Sequence, residues 1–388
     1  MTAVAANVVV AGGGLIGLAV AWRCAQRGLG VTVVDDAPGT GASYAAGGML
    51  APVSEASYGE EPLLRLGRAS LERYPAFVEE LARASGVPID LRTQGTVLVG
   101  FDADDMRALE VLHEFHRELG LPTQRLTASQ ARRREGTLSP RVRGALLIPT
   151  DYSIEPRALH AALLAAATAS RVRMLRARVD SVQVADARVT GLRLADGVEL
   201  PADVVVVALG AWSGTLPGAP SMPVRPVKGQ ILRLRAAAGL LGGTVRALVR
   251  GRSIYLVPFG ADGLIVGATA EEKGFDGAVT AGAAHDLLHD AIEVVPAVRE
   301  LELVETVARW RPGTPDNAPI LGPSTIAGLV VATGHYRNGV LLTPITADIV
   351  ADLLTTGKLP DIAEPFQPGR FETGRIAAGR IAAGRIER

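Results

Sequence analysis

Gly12, Gly14 and Gly17, with an aspartate at position 35, have the types and spacing of a site for a dinucleotide. Residues 7–35 read NVVVAGGGLIGLAVAWRCAQRGLGVTVVD: an apolar strand, the run G-x-G-x-x-G, a helix-compatible segment, a second apolar run and an acid. Gly12 permits the tight turn, Gly14 lets backbone approach a pyrophosphate, and Gly17 lets helix and strand pack closely. Unpaired amides at the helix N-terminus point at phosphates, and Asp35 is placed to accept from ribose hydroxyls. A purely structural glycine turn would account for the glycines but not for the flanking strand, helix and acid together. An acid rather than an arginine after the second strand disfavours a 2′-phosphate, so the expected ligand is FAD or NAD rather than NADP.

Other reactive constellations are weaker. His285 and His289 stand four apart in HDLLHD, but no third ligand is evident, so they read as two solvated histidines and no metal is expected. Trp212-Ser213-Gly214 follows an apolar run, yet the nucleophile pattern G-x-S-x-G is absent. The single cysteine, Cys24, excludes an internal disulfide and fits a reducing, cytoplasmic setting. Forty basic and forty acidic residues leave no net charge, so no basic field points to nucleic acid. The N-terminal apolar run has no preceding Lys or Arg and is broken by glycines, which argues against a signal peptide or membrane span.

The elements that must position these residues fall into two classes. Residues 37–52 (APGTGASYAAGGMLAP) are too rich in Gly, Ala and Ser for a regular element and read as a loop lying close to a flat or charged group. Helical spacing appears over 63–85, 104–119 and 155–170, with strands at 95–101 and 144–148. The run VVVVALGAWSG (204–214) reads as a fully buried strand regaining the centre of a parallel sheet. Residues 223–317 are strand-rich and punctuated by proline, which predicts an antiparallel sheet in a second domain. A strand at 328–334 and a helix at 343–354 then return to the first. The expected fold class is therefore α/β: a Rossmann-type nucleotide domain (1–88, 142–222 and 318–362) interleaved with a mostly antiparallel substrate domain (89–141 and 223–317). Residues 363–388, with GRIAA repeats from Gly374, are expected to form a flexible tail.

Two further segments narrow the reading: WRPGTPDNAPILG (310–322) and ATGHYRNGVLL (332–342). With the glycine unit and the AAGGMLAP loop, in this order, the chain resembles the D-amino-acid oxidase group of FAD-dependent amine oxidases. Within that group it is most similar to the glycine oxidases that supply thiazole synthesis for thiamine. The resemblance covers about residues 5–360. It implies non-covalent FAD, a small amino-acid substrate, and O2 as acceptor, giving imine or glyoxylate, ammonia and hydrogen peroxide. It leaves open both a handover of the imine to a thiazole synthase and a homo-oligomer.

By the same resemblance, Arg311 is the carboxylate clamp, a role suited to a planar guanidinium able to make a bidentate pair. Tyr255 helps to hold the carboxylate, and Arg337 lies near the substrate. Leu15 and Ile16 donate amides to phosphate, Ala42 and Ser43 lie near the pyrophosphate, and Asp35 and Asp36 meet the adenosine ribose. Val179 meets the adenine. Gly47, Gly48 and Met49 bring backbone against the flavin ring, and His335, Tyr336, Arg337, Asn338, Gly339, Val340 and Leu341 line it. His335 is given a backbone or packing role, because hydride transfer from a neutral amine needs no base. Ser253 and Ala270 depart from the family, where larger residues are familiar, and predict a wider pocket open to sarcosine or small D-amino acids. The rivals are a sarcosine oxidase or D-amino-acid oxidase or dehydrogenase on the same scaffold, and a non-catalytic dinucleotide-binding subunit.

Overall fold

The apolar run that opens the chain forms the strand Asn7–Ala11 inside a six-stranded sheet. This is a computed structural model, and it describes residues 7–236 and 238–371; the GRIAA repeats lie outside the described residues. Across the sheet the order is Ile320–Pro323, Leu329–Thr333, Val204–Val207, Asn7–Ala11, Gly30–Val34 and Arg173–Leu175. All neighbours run parallel except Ile320–Pro323, which pairs antiparallel at one edge. Both faces of the central strands are covered, which is why they read as unbroken valine runs. Helices Leu15–Gln26, Glu61–Ser85, Pro156–Ala169 and Thr343–Thr356 pack one face. A meander of Val179–Ala185, Arg188–Leu194 and Glu199–Pro201 covers the other.

The second sheet has eight strands in the order Glu302–Gly313, Arg225–Arg235, Gly263–Gly267, Arg252–Phe259, Thr244–Val249, Thr96–Gly100, Gly144–Ile148 and Gln124–Thr127. Only the Thr244–Val249 and Thr96–Gly100 pair is parallel. Helix Ala281–Val294 buries Leu287, Ala291 and Val294 against its back. Its front, through Ile231, Val257, Ile265 and Val307, packs on Tyr44, Ala45 and Met49 of the glycine-rich loop. That contact joins the two sheets.

Two sequence boundaries move. The strand Gly144–Ile148, expected in the nucleotide domain, pairs with Thr96–Gly100 and Gln124–Thr127 and so belongs to the second sheet. Residues 363–371, assigned to the flexible tail, are packed instead: Ala363 and Phe366 are buried in the main core, and Arg370 pairs with Asp316 at 2.8 Å. Burial of an aromatic side chain anchors this stretch.

Candidate active site

Where the two sheets meet, they enclose a cavity of about 950 Å³ that runs from the glycine turn to the second sheet. The nucleotide end follows directly from the sequence. Gly12 has φ +111°, and a Cβ there would come within 2.4 Å of the Ala208 carbonyl oxygen. A Cβ on Gly17 would fall 1.8 Å from the Gly12 carbonyl oxygen, so only glycine allows helix Leu15–Gln26 to start this close to the strand. Gly14, Leu15 and Ile16 border the cavity at that helix start, whose positive dipole end favours phosphate. The Leu15 amide donates to Ser43 Oγ at 3.2 Å, which ties the 42–49 loop to the same spot. Asp35 Oδ2 accepts from the Gly13 amide at 2.6 Å and Oδ1 from the Ala37 amide at 2.8 Å, so its carboxylate is fixed at the cavity rim beside Asp36.

At the other end, Tyr255 and Arg311 project from the second sheet. Arg311 Nη1 donates to the Thr269 carbonyl at 2.9 Å, and the Tyr255 hydroxyl lies against the guanidinium. Burial pushes the Tyr255 phenol up while Arg311 opposes that shift, so the tyrosine stays a neutral donor. Ser253 and Ala270 border the same end with small side chains. The loop after Leu329–Thr333 closes the cavity from the nucleotide side, and the Tyr336 amide donates to the Pro312 carbonyl at 3.1 Å. That bond joins the 332–342 segment to the residue following Arg311. His335 is buried with Nε2 3.0 Å from Thr346 Oγ1, and burial lowers its pKa to about 3. The neutral ring, held on a hydroxyl, packs the loop.

The structure brings together most residues singled out in the sequence. Gly12, Gly14, Leu15, Ile16, Asp35, Asp36, Ala42, Ser43, Gly47, Gly48, Met49, Val179, Tyr255, Arg311, His335, Tyr336, Arg337, Gly339 and Val340 all border the cavity. Gly17, Asn338 and Leu341 do not. Gly17 is spent on packing, whereas Asn338 and Leu341 face a small cleft beside Pro52 and Leu63. The segment turns as it enters helix Thr343–Thr356, with the Leu342 amide bonded to the Asn338 carbonyl at 2.8 Å, and this carries Asn338 and Leu341 away from the cavity.

Several charged residues at the cavity escaped the sequence reading, among them Arg246 and Glu55. Arg246 sits directly across the strand pair from Tyr255 and borders the cavity, with Glu55 3.8 Å from its guanidinium. Arg246 also donates to Ser54 Oγ at 3.0 Å. Strand alternation would have found Arg246 only once its pairing with Tyr255 was known. Trp212 and Trp310 border the cavity as well, with ring centroids 5.7 Å apart.

With this geometry in place, comparison with known proteins decides the family. The DAO family, described as FAD dependent oxidoreductase, matches residues 7–353. The chain belongs to the DAO family. Among its relatives, a glycine oxidase of Geobacillus kaustophilus is 36% identical over 90% of this chain and 92% of its own length. A bifunctional ThiO/ThiG protein of Trichormus variabilis is 32% identical over 94% of this chain, which spans 55% of that longer protein. The crystal structure of the Geobacillus kaustophilus glycine oxidase superimposes with a TM-score of 0.88 at 35% identity, covering 94% of this chain and 99% of that one. As a member of the DAO family the chain is an FAD-dependent oxidoreductase. Its own residues fit the cofactor: a glycine cradle that a Cβ would fill, a helix start open to phosphate, and an acid at the ribose end. Among the described residues, no helix is long and apolar enough to cross a membrane.

Proposed function

We propose that this DAO-family enzyme oxidises glycine: glycine, O2 and water give glyoxylate, ammonia and hydrogen peroxide. The observation that carries this reading is the Arg311 guanidinium beside the Tyr255 hydroxyl at the cavity end opposite the glycine turn. The likeness to glycine oxidases supports the substrate. FAD, when bound without a covalent link, supplies the hydride acceptor and returns the electrons to O2.

The chain's own residues then bind and orient. Arg311 pairs with the substrate carboxylate in a planar fork, and Tyr255 donates a hydrogen bond to it. The Thr269 carbonyl restrains one arm of the fork, so less side-chain freedom is lost on binding. The amine enters as the free base and needs no protein base, in keeping with a buried, neutral His335. When FAD is bound, Val179 would hold the adenine, Asp35 and Asp36 the ribose, and residues 47–49 with His335, Tyr336, Arg337, Gly339 and Val340 would lie along the ring.

A second reading on the same site, turnover of sarcosine and small D-amino acids, is supported by the small side chains of Ser253 and Ala270 at the cavity border. Handover of the imine to a thiazole synthase belongs to the glycine reading and is supported by the bifunctional ThiO/ThiG relatives. The test is peroxide and glyoxylate formation by the purified FAD-loaded protein with glycine, sarcosine and D-alanine. Absence of peroxide with all three would reject an amino-acid oxidase; oxo-acid formed only with an artificial electron acceptor would then mark a dehydrogenase, and none with either acceptor would leave a non-catalytic dinucleotide-binding role.

A further inference from the structure

Residues 268–280 run from the end of strand Gly263–Gly267 to helix Ala281–Val294, and their first three members border the cavity. They also carry the carbonyl of Thr269, which accepts from Arg311 Nη1 at 2.9 Å. What holds this loop lies on the opposite side of the second sheet. In strand Arg225–Arg235, Gly229 borders the cavity, so its neighbours Lys228 and Gln230 point to the other face.

Lys228 is fully buried, and its Nζ donates to Asp276 Oδ2 at 2.9 Å. Its backbone exchanges two bonds of 2.9 Å with Glu271. Gln230 is 2% exposed, and its side chain is committed to the same loop. Its Nε2 donates to Glu271 Oε1 at 2.7 Å, and its Oε1 accepts from the Thr280 amide at 2.9 Å. The Gln230 amide donates to Thr269 Oγ1 at 2.9 Å, and that hydroxyl donates to Glu271 Oε1 at 2.7 Å. On the outer side, Phe275 stacks on Trp212, with ring centroids 5.3 Å apart, and so reaches the nucleotide domain. Burying an ammonium and an amide costs stability that an apolar pair would not, which points to a requirement for loop geometry.

We infer that Lys228 and Gln230 are positioning residues that act through Arg311. By pinning both ends and the middle of the 268–280 loop, they set the Thr269 carbonyl that orients the guanidinium toward a substrate carboxylate. The inference rests on Arg311 being the carboxylate clamp. A clamp set wrongly by about 1 Å loses on the order of 100-fold in efficiency.

The experiment uses the FAD-loaded enzyme and two readouts: the glycine KM, and the Kd for glycolate (a carboxylate of glycine's size without the amine) from flavin absorbance. Asp276 is 45% exposed on its side chain, so Asp276→Ala removes the lysine's partner without opening the core. Lys228→Met is the companion variant, and Asp276→Asn keeps an acceptor. Asp276→Ala and Lys228→Met should weaken glycolate and raise KM about 10- to 100-fold, with kcat changed far less and FAD content unchanged. Asp276→Asn should recover most of the loss. In an Arg311→Ala background, Asp276→Ala should have no further effect, because residues acting through one another are not additive. Wild-type glycolate affinity in both single variants, or an equal loss in both backgrounds, overturns the inference while leaving the clamp standing. Wild-type glycolate affinity in Arg311→Ala itself removes the clamp, and the inference with it.

Discussion

The Arg311 guanidinium lies flat against Gly229: a Cβ added there would come within 2.3 Å of Nη1 and 2.5 Å of Cζ. The two residues are diagonal neighbours on paired strands, where Gly229 is opposite Arg309 and Val227 opposite Arg311. A glycine at 229 therefore makes the floor on which the charged group rests. Any side chain at that position pushes the guanidinium toward the cavity. Gly229→Ala should lower kcat/KM for glycine by about 100-fold while FAD remains bound, since the clamp moves and the nucleotide end does not. Unchanged steady-state kinetics would show that the guanidinium position is immaterial.

Arg311→Ala should raise the glycine KM by about 10- to 150-fold, the equivalent of roughly 1.5–3 kcal/mol for hydrogen bonds to a charged group. Arg311→Lys should rescue only part of this, because an ammonium cannot make the planar pair. Near wild-type kcat/KM in Arg311→Ala would remove the residue from substrate binding.

Ser253 and Ala270 predict appreciable turnover of sarcosine and D-alanine beside glycine. One methyl group in a pocket is worth about 1–3 kcal/mol, so discrimination should not exceed roughly 200-fold. Ala270→Met should shift preference back toward glycine by filling the space. Peroxide rates on the three substrates check both statements, and ratios unmoved by Ala270→Met would assign specificity elsewhere.

Cys24 is the single cysteine; it is buried in helix Leu15–Gln26 among core side chains, with burial pushing its thiol up to about 12. It has neither the thiolate character nor the access for attachment to a flavin. Acid precipitation should therefore release all the FAD into the supernatant. Yellow colour retained by the pellet would contradict non-covalent binding.

Stability should fall as pH drops below about 6.5. Burial lowers His116 to about 4 and His335 to about 3, so the unfolded chain takes up those protons first as pH falls from 6.5, and stability is lost across that window. Burial raises Asp151 to about 6, so the folded chain takes up this proton first and recovers stability as pH falls from 6 to about 3.8. Glu135, also raised by burial, acts with Asp151, while Glu271, Asp276 and Asp290, held low by their partners, act with the histidines, so loss prevails. Thermal melts between pH 7 and 4.5 should show a decline that is shallower in His116→Leu and steeper in Asp151→Asn. A flat profile for the unaltered protein would mean that the buried histidines do not govern it.

The nucleotide end was legible because its signals are local. A tight turn, a helix start and an acid after the next strand lie within 29 consecutive residues, so Gly12, Gly14, Gly17 and Asp35 declare their roles without reference to the rest of the chain. The helices that became Glu61–Ser85, Pro156–Ala169 and Thr343–Thr356 were visible for the same reason, through a repeat of apolar residues along one segment. Arg311, Tyr255 and the 335–341 loop came from resemblance, and the tertiary structure decided which of them meet. Which sheet receives Gly144–Ile148 depends on Thr96–Gly100, a strand 44 to 52 residues away that no periodicity within either segment identifies. Arg246 enters the cavity because its strand lies beside Tyr255, and Lys228 is held because Asp276 folds back across 48 residues. Asn338 and Leu341 leave the cavity because a turn into helix Thr343–Thr356 rotates them away. Pairing and facing are properties of two distant segments at once, and they emerge only when the sheets close around the cavity.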